Sequence, residues 1–141
     1  MKSAGSAIDE AQAALPELKA RLAKLSLVQA AGRRGYVACT ESTMTKVRPD
    51  KPYSGTPAQA VSLSLARNES EAAQLVVVPL DRALRDVQVE VSDLKGPRKA
   101  TLPASAIDVN LVGYVEVKQK SGRSPGEPGL YPDPLLPAEP V

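Results

Sequence analysis

The residue types best suited to chemistry gather in one short polar cluster, which comprises Asn68, Glu69, Glu71 and Gln74. In an extended segment the two glutamates face the same side, and a glycosidase needs two carboxyl groups about 5–5.5 Å or 6.5–9.5 Å apart. The same residues suit a structural turn, because Asn adopts left-handed backbone angles and short polar side chains bond unpaired backbone groups. We favour the turn, a polar corner between two strands, and keep sugar binding and catalysis as alternatives.

Other reactive side chains are scarce in this chain. It has no histidine and a single cysteine, Cys39, so an intrachain disulfide is impossible and a catalytic thiol would lack its usual base. A zinc site needs several His or Cys ligands. The 18 basic and 16 acidic residues are interspersed and give a net charge of +2, which disfavours nucleic acid as a partner. We therefore expect no metal, no cofactor and no nucleic acid.

The first part of the chain has a helical pattern, from residue 6 to residue 31. Six side chains recur at alternating steps of three and four and form an apolar stripe: Ile8, Ala11, Leu15, Leu18, Leu22 and Leu25. On a helix these positions lie within an arc of about 100°. We expect the apolar stripe to pack on its own domain or on a neighbouring one, and the alternative is a short coiled coil with another copy of the chain.

After Tyr36 the pattern predicts short strands, at residues 36–40, 61–65, 75–78, 87–91 and 107–117. The continuous apolar run at 75–78 is typical of a central strand covered on both faces. The alternation changes phase near Gly113, which is a suitable place for a bulge. Residues 121–141 are rich in Pro and Gly and predict little regular structure.

Five or six strands without intervening helices predict a mainly β fold, an antiparallel β-sandwich preceded by an amphipathic α-helix. The predicted organisation is a helical segment at 1–35, the sandwich at 36–120 and a Pro/Gly-rich strap or linker at 121–141. No window approaches the roughly 18 apolar residues of a membrane span. No export signal is visible, so the sequence leaves the compartment open.

Four pieces carry a family resemblance: residues 41–50 (ESTMTKVRPD); residues 66–77 (ARNESEAAQLVV); residues 87–94, the Leu102-Pro103 step and residues 109–117 taken together; and residues 129–137 (GLYPDPLLP). In order and spacing they resemble the N-terminal β-sandwich region of glycoside hydrolase family 123 and related uncharacterised glycoside-hydrolase-like proteins. In that family the region precedes a (β/α)-barrel that acts on N-acetylgalactosaminides through an adjacent Asp-Glu pair. The matching stretches contain no such pair, and so the resemblance does not imply an enzyme.

What the resemblance implies is a noncatalytic accessory domain, or N-terminal fragment, that braces or orients a catalytic barrel. The family's sandwich continues with further strands, so we expect this one to lack its last strands. The partner would be the barrel or another protein chain, and a glycan is a further candidate. The alternative function is an autonomous carbohydrate-binding or protein-interaction module, and a small hydrolase is a third.

Tyr131 and Asp133 are the candidate interdomain or glycan contacts, because their flanking prolines keep this segment rigid and exposed. The competing interpretation of the same segment is a strap that covers a sheet edge with three leucines, Leu130, Leu135 and Leu136.

Overall fold

The computed structural model of the chain describes residues 4–57, 60–120, 122 and 126–138. These residues form one α-helix and six strands: α1 (Ala4–Ala31), β1 (Tyr36–Ser42), β2 (Ala73–Pro79), β3 (Leu94–Lys95), β4 (Thr101–Leu102), β5 (Asn110–Val117) and β6 (Gly129–Pro137). Two short 3₁₀ helices lie at Pro97–Lys99 and Ala104–Ala106. The strands pair into three antiparallel two-stranded sheets, β1–β2, β3–β4 and β5–β6. The chain divides into a first unit, Met1–Ala83, and a second unit, Leu84–Val141.

Helix α1 ends where the backbone turns left-handed. Gly32 and Gly35 have φ angles of 59° and 70°, which glycine adopts without steric cost. The guanidinium of Arg34 donates to the carbonyls of Ala30 and Ala31, both at 3.4 Å, and satisfies groups that a helix end leaves unpaired. The predicted helix and its glycine-rich end are therefore confirmed.

One face of α1, near its C-terminus, packs into a core. Leu27 and Ala31 are buried against Val37 and Cys39 of β1. Four partly buried side chains surround this cluster: Tyr53, Val76, Val78 and Leu80. The apolar stripe lies on the opposite side of the helix, since each residue advances about 100°. Its five large side chains are 47% to 66% exposed, so the expectation that the stripe packs on its own unit is wrong.

Strand β1 occupies the centre of the first unit. It pairs with β2 from Tyr36↔Pro79 to Ser42↔Ala73, while Cys39 also bridges Pro57. The strand predicted at 75–78 therefore exists, but it pairs with β1 alone among the described residues, and Leu75 is 53% exposed. The prediction of a central strand covered on both faces is wrong, because an apolar run does not specify which surfaces will cover it.

The second unit contains the ladder of β5 and β6. Its register shifts between Val112 and Tyr114, which confirms the predicted bulge at Gly113. A Cβ at Gly113 would lie 2.8 Å from Cγ of Pro134, so only glycine permits this approach. Strand β6 itself was not expected, since its residues belong to the Pro/Gly-rich end. Proline is tolerated here because an edge strand does not need every backbone N–H.

Two segments with the alternation of strands do not pair with any described residue. They are residues 61–65 and 87–91. Of their six Val and Leu side chains, those at 61, 63, 65, 87 and 89 are exposed and that of Val91 is half-buried. These two strand predictions are wrong, because alternation indicates suitability for a half-buried strand and supplies no partner. The described chain is consequently mixed α and β, with small antiparallel sheets and no closed barrel.

We expect Leu27→Ala to lower the free energy of unfolding by about 2–3 kcal/mol, because it leaves a cavity in the small core. Urea denaturation measures this change. Met44→Ala is the control, since the Met44 side chain is 88% exposed and its loss leaves no cavity. Equal effects of the two substitutions would contradict the assignment of the core.

Candidate functional site

The polar cluster begins with a tight turn. The amide of Glu69 donates to the Ala66 carbonyl at 3.3 Å, and Asn68 has a φ of 63°, the left-handed conformation expected of it. One carboxylate oxygen of Glu69 accepts a hydrogen bond from the Ala66 amide at 2.6 Å. Glu69 therefore closes its own turn, and Glu71 is exposed beyond it.

Gln74 fastens the start of β2 to the turn that follows β1. Its side-chain amide donates to the carbonyl of Ser42 at 2.6 Å and to that of Thr45 at 2.7 Å. The Thr45 amide in turn donates to the Ser42 carbonyl at 2.9 Å. Glu69 and Gln74 thus bind different backbone groups. Their hydrogen bonds do not bring the two side chains together in one site.

Tyr131 and Asp133 both lie in β6. The hydroxyl of Tyr131 donates to the Glu127 carbonyl at 2.7 Å, and its backbone stands opposite Val115. Asp133 is exposed in the part of β6 opposite the bulge at Gly113. This segment is thus a paired strand in which Asp133 is exposed.

A cleft of about 320 Å³ that the sequence did not indicate opens in the first unit. It is lined by Glu41, at the end of β1, and by residues 45–48 and 51–55. The Tyr53 hydroxyl donates to Oε1 of Glu41 at 2.8 Å and forms the wall. Arg48 makes two bonds to Asp50, at 3.0 and 2.6 Å, which lower the pKa of the Asp50 carboxyl.

The phenol and the thiol next to this cleft keep their protons. Burial raises the pKa of Tyr53, and the hydrogen bond to Glu41 raises it further, because that bond requires the phenolic proton. Burial likewise raises the pKa of the Cys39 thiol, and a hydrogen bond with Tyr53 opposes this only in part. Cys39 is also 0% exposed. Neither group is therefore placed to act as a nucleophile.

The cleft offers polar contacts to a ligand. Lys46 and Lys51 are among its lining residues, and a volume near 320 Å³ is at the small end of ligand pockets. Glu41 and Tyr53 are twelve positions apart in the chain, with a proline-rich loop between them. No local sequence pattern therefore indicated their contact. Gly55 makes room for this contact, because a Cβ added there would overlap the Tyr53 hydroxyl.

Metal binding and membrane insertion are two further properties to which the described residues give an answer. No group of three or more His, Cys, Asp or Glu side chains there is arranged to hold a metal ion. No helix in the described part of the chain is long and apolar enough to cross a membrane.

Comparison with known proteins identifies no relative. No family model matches the chain, no curated protein matches it, and no solved structure matches its fold. Function must therefore be inferred from the chain's own residues and from the sequence resemblance.

Gln74→Glu should destabilise the turn after β1. It replaces the side-chain NH2 group, which donates to two carbonyls, by a carboxylate oxygen that cannot donate. We expect the free energy of unfolding to fall by about 1 kcal/mol and hydrogen exchange at the Thr45 amide to accelerate. Gln88→Glu, at an exposed position, is the matched control. Unchanged exchange at Thr45 would show that Gln74 does not hold the turn.

Stability should fall in alkaline solution because of Cys39 and Tyr53. In the unfolded chain these groups lose their protons near their ordinary pKa values of 9.0 and 10.0, whereas the folded state retains both protons to higher pH. The folded state then binds more protons, so the free energy of unfolding decreases as pH rises above about 9.

Urea denaturation at a series of pH values tests this. Cys39→Ala and Tyr53→Phe should each make the alkaline decrease shallower, while Tyr114→Phe, at an exposed position of β5, should leave it intact. An equally steep decrease in all three variants would exclude Cys39 and Tyr53 as its origin.

Proposed function

We propose that this chain is a noncatalytic β domain of a protein similar to family 123 glycoside hydrolases, and that it braces a catalytic (β/α)-barrel. The proposal combines the sequence resemblance with one structural observation. The β5–β6 ladder exposes apolar side chains that a neighbouring protein surface would cover.

The exposure of this ladder is unusual for a folded protein. None of the described residues of the second unit is buried. Leu135 is 67% exposed, and Leu111, Val115 and Leu136 are also exposed. An isolated two-stranded ladder is marginally stable in water, and contiguous apolar surface usually marks an interaction site. A barrel packed against β6 would remove these side chains from water.

The polar cluster supports an accessory role over a catalytic one. A glycosidase requires one carboxyl group to protonate the leaving group and a second to act as base or nucleophile. Glu69 instead accepts a hydrogen bond from the Ala66 amide within its own turn. Gln74 is engaged with two backbone carbonyls. These residues stabilise the corner that leads into β2.

The antiparallel β-sandwich belongs to the same proposal. The segments at 61–65 and 87–91 have strand-like alternation and exposed apolar side chains, and the outer edge of β2 has no strand beside it among the described residues. Exposed edges of this kind accept further strands. In the assembled protein, additional strands would pair with such edges, and each sheet extended in this way would cover its apolar side chains with a second sheet.

The proposal is tested by supplying this chain to a family 123 barrel domain expressed without its own sandwich region. We expect calorimetry to detect binding and the barrel's melting temperature to rise, because ligation stabilises the folded state. Leu135→Asp should abolish both effects, while Met44→Asp, a matched change at an exposed position of the first unit, should not.

The alternatives predict different results. Binding of N-acetylgalactosaminides by the isolated chain, lost in Asp133→Asn, would favour an autonomous carbohydrate-binding module. Turnover of aryl-glycosides by the isolated chain, lost in Glu69→Gln, would establish a hydrolase. Either outcome, or failure to bind the barrel at any concentration, would overturn the proposed role.

A further inference from the structure

The turn at Asn68 contains a modification motif. Asn68-Glu69-Ser70 matches Asn-x-Ser/Thr, the acceptor motif of N-linked glycosylation, with a residue other than proline in the middle. The chain has one other asparagine, Asn110, which is followed two places later by Val112 and so lies outside such a motif. A three-residue motif also occurs by chance, and the surroundings of Asn68 therefore decide whether a glycan can be attached there.

Both functional residues of the motif are accessible. Asn68 and Ser70 are exposed, and the segment from residue 60 to residue 72 belongs to no helix or strand. The turn within this segment is closed by two contacts of Glu69 with Ala66, one from its backbone amide and one through its carboxylate. A surface turn outside the regular structure is the setting in which an asparagine accepts a glycan.

The turn accounts for the backbone of Asn68 but does not use its side chain. The φ angle of 63° is one that glycine adopts with less strain. Asparagine also favours turns because its side chain can bond the backbone two residues on, but here Glu69 supplies the bond from a side chain to the backbone. Among the described residues, the Asn68 amide group and the Ser70 hydroxyl have no hydrogen-bond partner. Both groups are therefore available to an enzyme.

We propose that Asn68 is an acceptor for N-linked glycosylation. The co-reactant is an oligosaccharide carried on a lipid diphosphate, which an oligosaccharyltransferase presents to the motif. The Asn68 side-chain nitrogen forms a bond to C1 of the first sugar, while the bond between C1 and the diphosphate oxygen breaks. The lipid diphosphate leaves with the electron pair, and the amide nitrogen releases one proton. The Ser70 hydroxyl is the second element that the transferase recognises.

A glycan at Asn68 is compatible with the folded first unit. Asn68 does not belong to the core between α1 and β1, and the ladder of β1 and β2 begins beyond it at Ala73. A bulky, polar oligosaccharide at this position displaces no buried side chain. The modification requires that the chain reaches the compartment of the transferase. The inference is independent of the proposed function, whose contact lies in the second unit.

Mass spectrometry of the full chain, purified from the cells that produce it, tests the modification. Peptide-N-glycosidase in oxygen-18 water removes an N-linked glycan and leaves a labelled aspartate in place of the asparagine. Trypsin then cleaves after Arg67 and Arg82 and releases the peptide 68–82, which contains the whole motif. We expect the label at position 68 in the enzyme-treated sample and no label in a sample kept in oxygen-18 water without the glycosidase.

Variants expressed in the same cells separate the motif from the turn. Ser70→Ala removes the required hydroxyl but keeps Asn68 and both contacts of Glu69, so the glycan should be lost while the circular dichroism spectrum stays that of the parent chain. Ser70→Thr keeps a hydroxyl and should keep the glycan. Asn110→Gln is the matched control, because it changes an exposed asparagine outside the motif and should leave the glycan in place.

Three outcomes would overturn the inference. They are an unlabelled peptide 68–82 in the enzyme-treated native chain, a label that persists in Ser70→Ala, and a label that appears without the glycosidase. None of these results depends on binding to a barrel domain, so the inference and the proposed function can fail separately.

Discussion

The packing of α1 on β1 is the contact on which the first unit depends. Leu27 and Ala31 meet Val37 and Cys39, and these four are the buried residues of the described chain. The core is small, so each member contributes a large share of the stability. The elements around it are fastened by polar contacts, such as that between Tyr53 and Glu41.

Because this core is small, much of the chain's apolar surface faces outward. The apolar stripe of α1 and the faces of β5 and β6 have the composition of interior surfaces, yet the described residues do not cover them. Removing such surface from water is the dominant favourable contribution in association as it is in folding. The proposed role, in which another protein surface covers these side chains, would account for this distribution.

The residues whose types suggested chemistry have structural contacts in the folded chain. Glu69 closes a turn, Gln74 holds a neighbouring turn, and the thiol of Cys39 lies in the core. A sequence pattern identifies such residues by type, and type does not distinguish a catalytic carboxylate from one that accepts a backbone hydrogen bond. The partner of each side chain decides between them, and that partner is a matter of tertiary geometry.

The sequence by itself determined the elements whose cause is local. Periodicity predicted α1, Gly32 and Gly35 ended it, Asn68 formed its left-handed turn, and the phase change at Gly113 predicted the bulge. These features depend on backbone sterics and on the spacing of neighbours along the chain.

Only the tertiary structure decided which apolar face is covered. It selected Leu27 over the more regular apolar stripe, paired the proline-rich residues of β6, and left the alternating segments at 61–65 and 87–91 without partners. It also brought the Tyr53 hydroxyl within hydrogen-bond distance of Glu41 in the wall of the cleft. Burial and pairing require a second surface, and a one-dimensional pattern shows that a residue is suited to contact without specifying what it will contact.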